Sequence, residues 1–388
     1  MAVSETLPVF PLTEGGPGEA VLRRLGITPL GRRGARGALL LAAVAWLPLL
    51  VLAIGERLVV TGAGIPFLYD LGAHVRFLLA VPILLLAEIP IGRRLREVTG
   101  HFVAAGLVQA ADEARFRQII VESVRIRDSR LAGIAVVALA YAAPIGLLLG
   151  RASFQGGSTW YTPGADGPSL AGVWYAFVSL PIFHFLLLRW IYRVAVWGTF
   201  LRKVARLDLQ LTPTHPDGAG GLGFLGKGTV PYGIVLFASS AAVSGAIASR
   251  VLYAGVPLQS FYLSYGALIV LGIVGVAAPL LVFVPRLAVL KREALLAYGS
   301  LASRYTQAFD RKWVRGTPPA DELLGSADIQ SLADLGNGYA PVVKMRLAPI
   351  GLQDFVAIAF LGALPAVPLA ATVMPVADVV KGLLRLLA

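Results

Sequence analysis

The chain has 388 residues, of which 57% are hydrophobic, with a mean hydropathy of +0.74, a formal net charge of +12 and no cysteine. That apolar share exceeds the roughly 45–50% of a soluble domain, and the missing thiols exclude disulfides, thiol catalysis and thiolate metal sites. The basic balance would suggest nucleic acid, but Lys and Arg lie between apolar blocks of membrane-spanning length, so orientation in a bilayer accounts for them better and no nucleic-acid partner is expected.

In chain order, residues 1–36 read as a cytoplasmic basic tail, flexible over Met1 to Ala20. No basic residue precedes Arg23 and prolines and glycines interrupt the stretch, so it does not read as a cleavable signal peptide. Apolar blocks then predict spans at 38–60, 75–91, 131–149, 172–197, 230–252, 261–285 and 352–374. Glu56 and Arg57 are expected to pair at the outer end of the first span, and Trp160 and Tyr161 to anchor the outer loop 150–171 at the interface. Of the 34 Lys and Arg residues, 26 fall in the tail and in segments 92–130, 200–228 and 286–350; six fall on the other side, and Arg189 and Arg193 lie within the fourth span. This bias predicts a cytoplasmic N-terminus and an outside C-terminus. The segment GALPAVP, 362–368, either kinks the seventh span or breaks it into a re-entrant pair, which would leave six spans and a cytoplasmic C-terminus. Residues 376–388 carry Val379, Val380, Leu383, Leu384 and Leu387 on one face, the pattern of an interfacial helix.

The predicted fold is an all-α polytopic bundle of about seven spans with cytoplasmic helical extensions. It divides into the tail, 1–36; spans one to six over 37–285, with a cytoplasmic helical hairpin at 92–130; a cytoplasmic helical segment, 286–350; and a closing part, 351–388. The sixth span is expected to continue as one helix over 261–314, kinked at Pro279 and Pro285 and ended by Thr317-Pro318-Pro319. In GSADIQSLADLGNGY, Ser326 is the expected N-cap and Gly336 the stop, with Asn337-Gly338 as a turn. A short helix docked on the hairpin is the plain reading. A gate is the sharper one, with Asp328, Asn337, Pro365 and Pro368 as its candidates.

Ionisable groups inside spans are costly and therefore candidates for function. Glu88, His184, Arg189 and Arg193 are the pathway candidates. Against this, Glu88 and Arg193 can reach the cytoplasmic interface by snorkelling, Arg189 is evenly balanced, and His184 can be a core histidine. THPDGAGGLGFLG, 214–226, offers His215, Asp217, Gly218, Gly220, Gly221 and Gly223, a turn free to adopt positive φ and to form an anion-binding nest. The equally weighted alternative is a tight turn that lets helices pack closely. Its GxGxxG lacks a preceding strand, so no dinucleotide is expected. Four histidines without a ligand-pair spacing give no metal site, and no cofactor is implied.

THPDGAGGLGFLG, SRYTQAFDRKW at 303–313 and GSADIQSLADLGN at 325–337 resemble a family of bacterial multi-pass membrane proteins to which no activity is assigned. The resemblance covers the chain from about residue 30 onward and implies a bacterial inner-membrane location. The layout alone, without shared motifs, is similar to that of insect chemoreceptor channels. The leading expectation is a channel or transporter for an ion or small solute, of anionic preference and compatible with a homo-oligomer. The first alternative is a membrane-anchored sensor or scaffold whose cytoplasmic helices bind a protein partner. The second is a lipid-directed membrane enzyme using His215 and Asp217 as acid and base, although no nucleophile motif accompanies them.

Overall fold

The computed structural model describes residues 9–27, 31–148, 158–164, 167–315 and 326–370. Every regular element among them is helical, with only isolated bridges between extended stretches. A short α1 (Glu19–Arg24) precedes α2 (Gly31–Gly55) and α3 (Leu71–Ala104). Then come α4 (Glu113–Arg127), α5 (Arg130–Leu148), α6 (Leu170–Val204) and α7 (Phe224–Tyr253). The rod α8 (Leu258–Val314) is followed by α9 (Ala327–Lys344), α10 (Leu352–Ala363) and α11 (Ala366–Ala370).

Five helices among the described residues, within α2, α3, α6, α7 and α8, are long and apolar enough to cross a membrane, and a sixth is added if α4 and α5, bent by 42° at their junction, count as one. The predicted seventh span, 352–374, is represented by the 12-residue α10, a turn at Leu364–Pro365 and α11. Residues beyond 370, including the expected interfacial helix 376–388, lie outside the described residues.

Local chemistry fixes the helix starts. Asp70 opens α3 by accepting the Ala73 N–H (3.1 Å), and Ser169 opens α6 by accepting that of Gly172 (2.9 Å). Glu56 also serves α6, accepting from Leu170 (2.7 Å) and Ala171 (3.1 Å), so it caps a helix instead of pairing with Arg57 as expected. Small residues let α3 and α7 approach closely: a Cβ on Gly72 would sit 3.0 Å from the Ala246 Cα, and one on Gly245 would sit 2.9 Å from the Leu71 carbonyl oxygen.

The predicted long helix is present as α8, about 85 Å at 1.5 Å per residue, with a 3₁₀ stretch at Ala278–Phe283 where Pro279 removes an N–H. Ser326 caps α9 by accepting from Asp328 N (3.1 Å). Gly336 does not stop it. The helix runs through Gly336, Asn337, Gly338 and Pro341 to Lys344, because it lies along α8 and that packing overrides weak local propensity. The support of α9 is therefore α8 and not the hairpin.

The arms of the 92–130 hairpin also pack on the bundle. The first arm, the end of α3, packs on Phe224–Thr229, and the second, α4, packs on α6. The arms meet through Phe102 and Phe116, whose rings lie 5.8 Å apart. Trp160, expected at the interface, is fully buried; its indole donates to Asp70 (2.9 Å) and its ring packs edge-on against Phe67 and Tyr175. The ring can be buried because Asp70 satisfies its one polar atom.

Candidate functional site

The largest departure from the sequence reading is the N-terminal segment. Over its described part it is no flexible tail. Phe10, Leu12, Leu22 and Ile27 are buried in the main core. Phe10 packs on the rings of Phe200 (5.0 Å) and Trp197 (6.3 Å) of α6. The Arg127 side chain donates to the Pro11 carbonyl, Asp128 accepts from Gly16 N (2.9 Å), and Arg96 pairs with Glu14 (2.6 Å). The glycines that suggested disorder make the turns: Gly16 and Gly18 have φ of 92° and 73°.

This segment roofs a cluster of four charges. Arg189 and Arg193, one turn apart on α6, are 1% and 0% exposed, and Glu88 on α3 is 3% exposed. Glu88 Oε1 lies 2.7 Å from Arg189 Nη1 and 2.9 Å from Arg193 Nη1, and its Oε2 accepts from Arg193 Nη2 (3.2 Å). Glu19 of α1 completes the set, its Oε2 lying 2.5 Å from Arg189 Nη2. Arg193 also donates to the carbonyls of Thr13 (3.0 Å) and Gly15 (3.3 Å), and its guanidinium sits 5.0 Å from the Trp190 ring centre. The charges cancel, as low-dielectric burial demands. Arg189 Nε and Arg193 Nε find no partner among the described residues.

Glu88, Arg189 and Arg193 thus meet as one group, and the snorkelling readings fail because α3, α6 and the N-terminal segment enclose all three. Beside them, the Leu84 carbonyl of α3 accepts from the Trp190 indole of α6 (2.8 Å). His184 does not join: it is half-buried beside Phe183, its Nδ1 has no partner, and no bond links it to the cluster among the described residues. Sequence reasoning missed Glu19. The only signal was a lone acidic residue opening a short apolar stretch, EAVLRR.

The glycine-rich turn is a second, separate constellation. Gly218, Gly220 and Gly221 have φ of 62°, 66° and 98°, as expected of a nest, whereas Gly223 is helical and precedes Phe224–Thr229. The anion in the nest is the chain's own. Asp217 Oδ1 accepts from Ala219 N (2.8 Å) and Gly221 N (3.1 Å), its Oδ2 from Gly223 N (2.7 Å), and His215 Nδ1 lies 2.9 Å from Oδ1. Partial burial works against ionised Asp217, but these three backbone donors and His215 outweigh it and hold the carboxyl below the usual carboxylate range. Arg346 ties the turn to the stretch before α10, donating to the carbonyls of Asp217 (2.7 Å) and, through its backbone N–H, Gly218 (2.7 Å).

The gate candidates are dispersed. Asp328 holds Lys312 (2.8 Å) and the Trp313 indole (2.9 Å) at the far end of α8. Asn337 is exposed within α9, Pro365 sits at the break between α10 and α11, and Pro368 is exposed within α11. Among the described residues no group of three or more His, Asp or Glu is placed to hold a metal. Comparison with protein-family models, with curated proteins and with solved structures finds no match.

Proposed function

We propose that this chain is a channel or transporter for an ion or small solute, of anionic preference, in a bacterial inner membrane. In this reading it crosses seven times, with α5, which follows the cytoplasmic α4 at the bend, and the 352–374 region each contributing a span and the N-terminus in the cytoplasm. The observation that carries the reading is the Glu88–Arg189–Arg193 cluster, closed by a carboxylate from the N-terminal segment. Buried ionisable residues between helices mark ion and substrate paths. Glu19 occupies Arg189 as an anionic solute would, and the unpaired Nε donors of Arg189 and Arg193 are groups that water or an anion satisfies. The described form is the closed one, with the N-terminal segment as the plug. Anion flux into proteoliposomes tests this. Glu19→Gln is expected to raise flux and Arg189→Ala to lower it severalfold; equal flux in both variants and the parent sinks the proposal.

A second reading, a membrane-anchored scaffold or sensor, draws on the cytoplasmic rod. Leu296, Leu301 and Val314 of α8 and Ile329 and Val343 of α9 are large apolar side chains left exposed. They suit a protein partner or a second copy of the chain. Loss of complex formation on Leu296→Glu with flux unchanged would favour it. The enzyme reading draws no support from the turn, since Asp217 is committed to backbone donors.

A further inference from the structure

A cleft of about 710 Å³ opens on the flank of the bundle between α6, α7 and α8. Its walls are mostly apolar, and Gly275 on α8 leaves it open, since a Cβ there would meet nothing within 4 Å. Trp190 and Tyr232 form the part that backs onto the charge cluster, their rings 6.0 Å apart. At one end stands Arg202, exposed and without an ion pair to any described residue. From Leu187 to Arg202 the α6 wall rises about 22 Å. That is the depth of one leaflet with its headgroup layer, roughly 20–22 Å.

An apolar slot one leaflet deep with a lone guanidinium at its mouth has the polarity profile of one molecule class. We propose that it holds a single phospholipid with an anionic headgroup, its acyl chain between α6 and α8 and its phosphate on Arg202. The Thr199 and Ser239 hydroxyls in its walls donate to their own helix carbonyls, Val196 and Val235 (2.7 and 2.8 Å), which disfavours a hydrated solute along most of the length. The guanidinium fork matches a phosphate, and net negative charge on the headgroup adds attraction that a zwitterion lacks. In the orientation proposed above, Arg202 faces the cytoplasmic side, so the lipid comes from the inner leaflet. The site is independent of whether the chain transports anything.

The experiment uses the full-length protein in nanodiscs of phosphatidylethanolamine, titrated with dibrominated phosphatidylglycerol while tryptophan fluorescence is recorded. Trp190→Phe identifies the Trp190 contribution. Phosphatidylglycerol is expected to quench Trp190 saturably and dibrominated phosphatidylethanolamine to do so about tenfold more weakly. Arg202→Gln should erase that preference. Gly275→Leu should abolish the quenching by filling the slot, and it is the cleaner variant because a Cβ at Gly275 meets nothing within 4 Å. Equal quenching by the two lipids, or saturable quenching that survives Gly275→Leu, overturns the proposal. So does a parent protein that is dimeric in nanodiscs and becomes monomeric in Gly275→Leu, which would make a second copy the occupant.

Discussion

Glu19 and Arg189 are 170 residues apart in sequence, yet the carboxylate of one lies 2.5 Å from the guanidinium of the other in a buried site. The contact joins the N-terminal segment to α6 at the point where α6 already meets α3 through Glu88. Three parts of the chain are therefore coupled through one guanidinium.

Glu88 is the carboxylate both arginines share, so its loss leaves Arg193 with no carboxylate and Arg189 with Glu19 alone. Glu88→Ala is expected to destabilise by about 3–5 kcal/mol, the usual effect of removing one partner of a buried pair. Glu19→Gln leaves Arg189 its bond to Glu88 and should cost about 1–3 kcal/mol. Thermal unfolding in detergent, followed by circular dichroism, ranks the two; equal midpoints would contradict the shared-carboxylate geometry.

The glycine-rich turn should loosen in acid. Asp217 has its carboxyl lowered in the folded chain, so its stabilisation is complete above the unfolded value, about 3.9, and is lost as pH falls through the folded one. Amide exchange at Ala219, Gly221 and Gly223 is therefore expected to show constant protection from pH 8 to 5, once corrected for intrinsic rates, and to lose it below about pH 4. Asp217→Asn should remove the Gly223 protection at every pH, since the one remaining oxygen can still accept from Ala219 and Gly221 but not from Gly223 as well.

Gly226 and Gly266 provide a matched pair. A Cβ at Gly226 would stand 2.6 Å from Asp354 Oδ2 and 2.7 Å from the Pro349 carbonyl oxygen, while one at Gly266 meets nothing within 4 Å. Gly226→Ala is expected to cost about 1–3 kcal/mol by overpacking, and Gly266→Ala to be neutral or slightly stabilising. Comparing their thermal midpoints checks the seating of the stretch before α10 against Phe224–Thr229.

Asp328 fastens the start of α9 to the end of α8 through Lys312 and the Trp313 indole. Asp328→Ala should release that end, red-shifting Trp313 emission, with helix content nearly unchanged. Unaltered emission would show that packing along α8 holds α9 unaided.

What could be read from the sequence is what local physics controls. Apolar blocks of spanning length became helices because no other backbone satisfies its own N–H and C=O groups in hydrocarbon. Gly218, Gly220 and Gly221 took positive φ because they lack a Cβ, and Ser326 capped α9 because its hydroxyl reaches the second N–H beyond it. The sequence also determined that Glu88, Arg189 and Arg193 would be costly in a membrane-length helix.

Only the tertiary structure decided who neutralises them. The pairing of Glu88 with Arg189 and Arg193 depends on how α3 and α6 rotate against each other, which no local periodicity encodes. The N-terminal segment looked unstructured because its few apolar residues cannot bury one another; Phe10, Leu12, Leu22 and Ile27 find a core only once the helices are assembled. For the same reason Trp160 went inside and α9 ran through Gly336, since burial against a formed partner outweighs local preferences of about 1 kcal/mol.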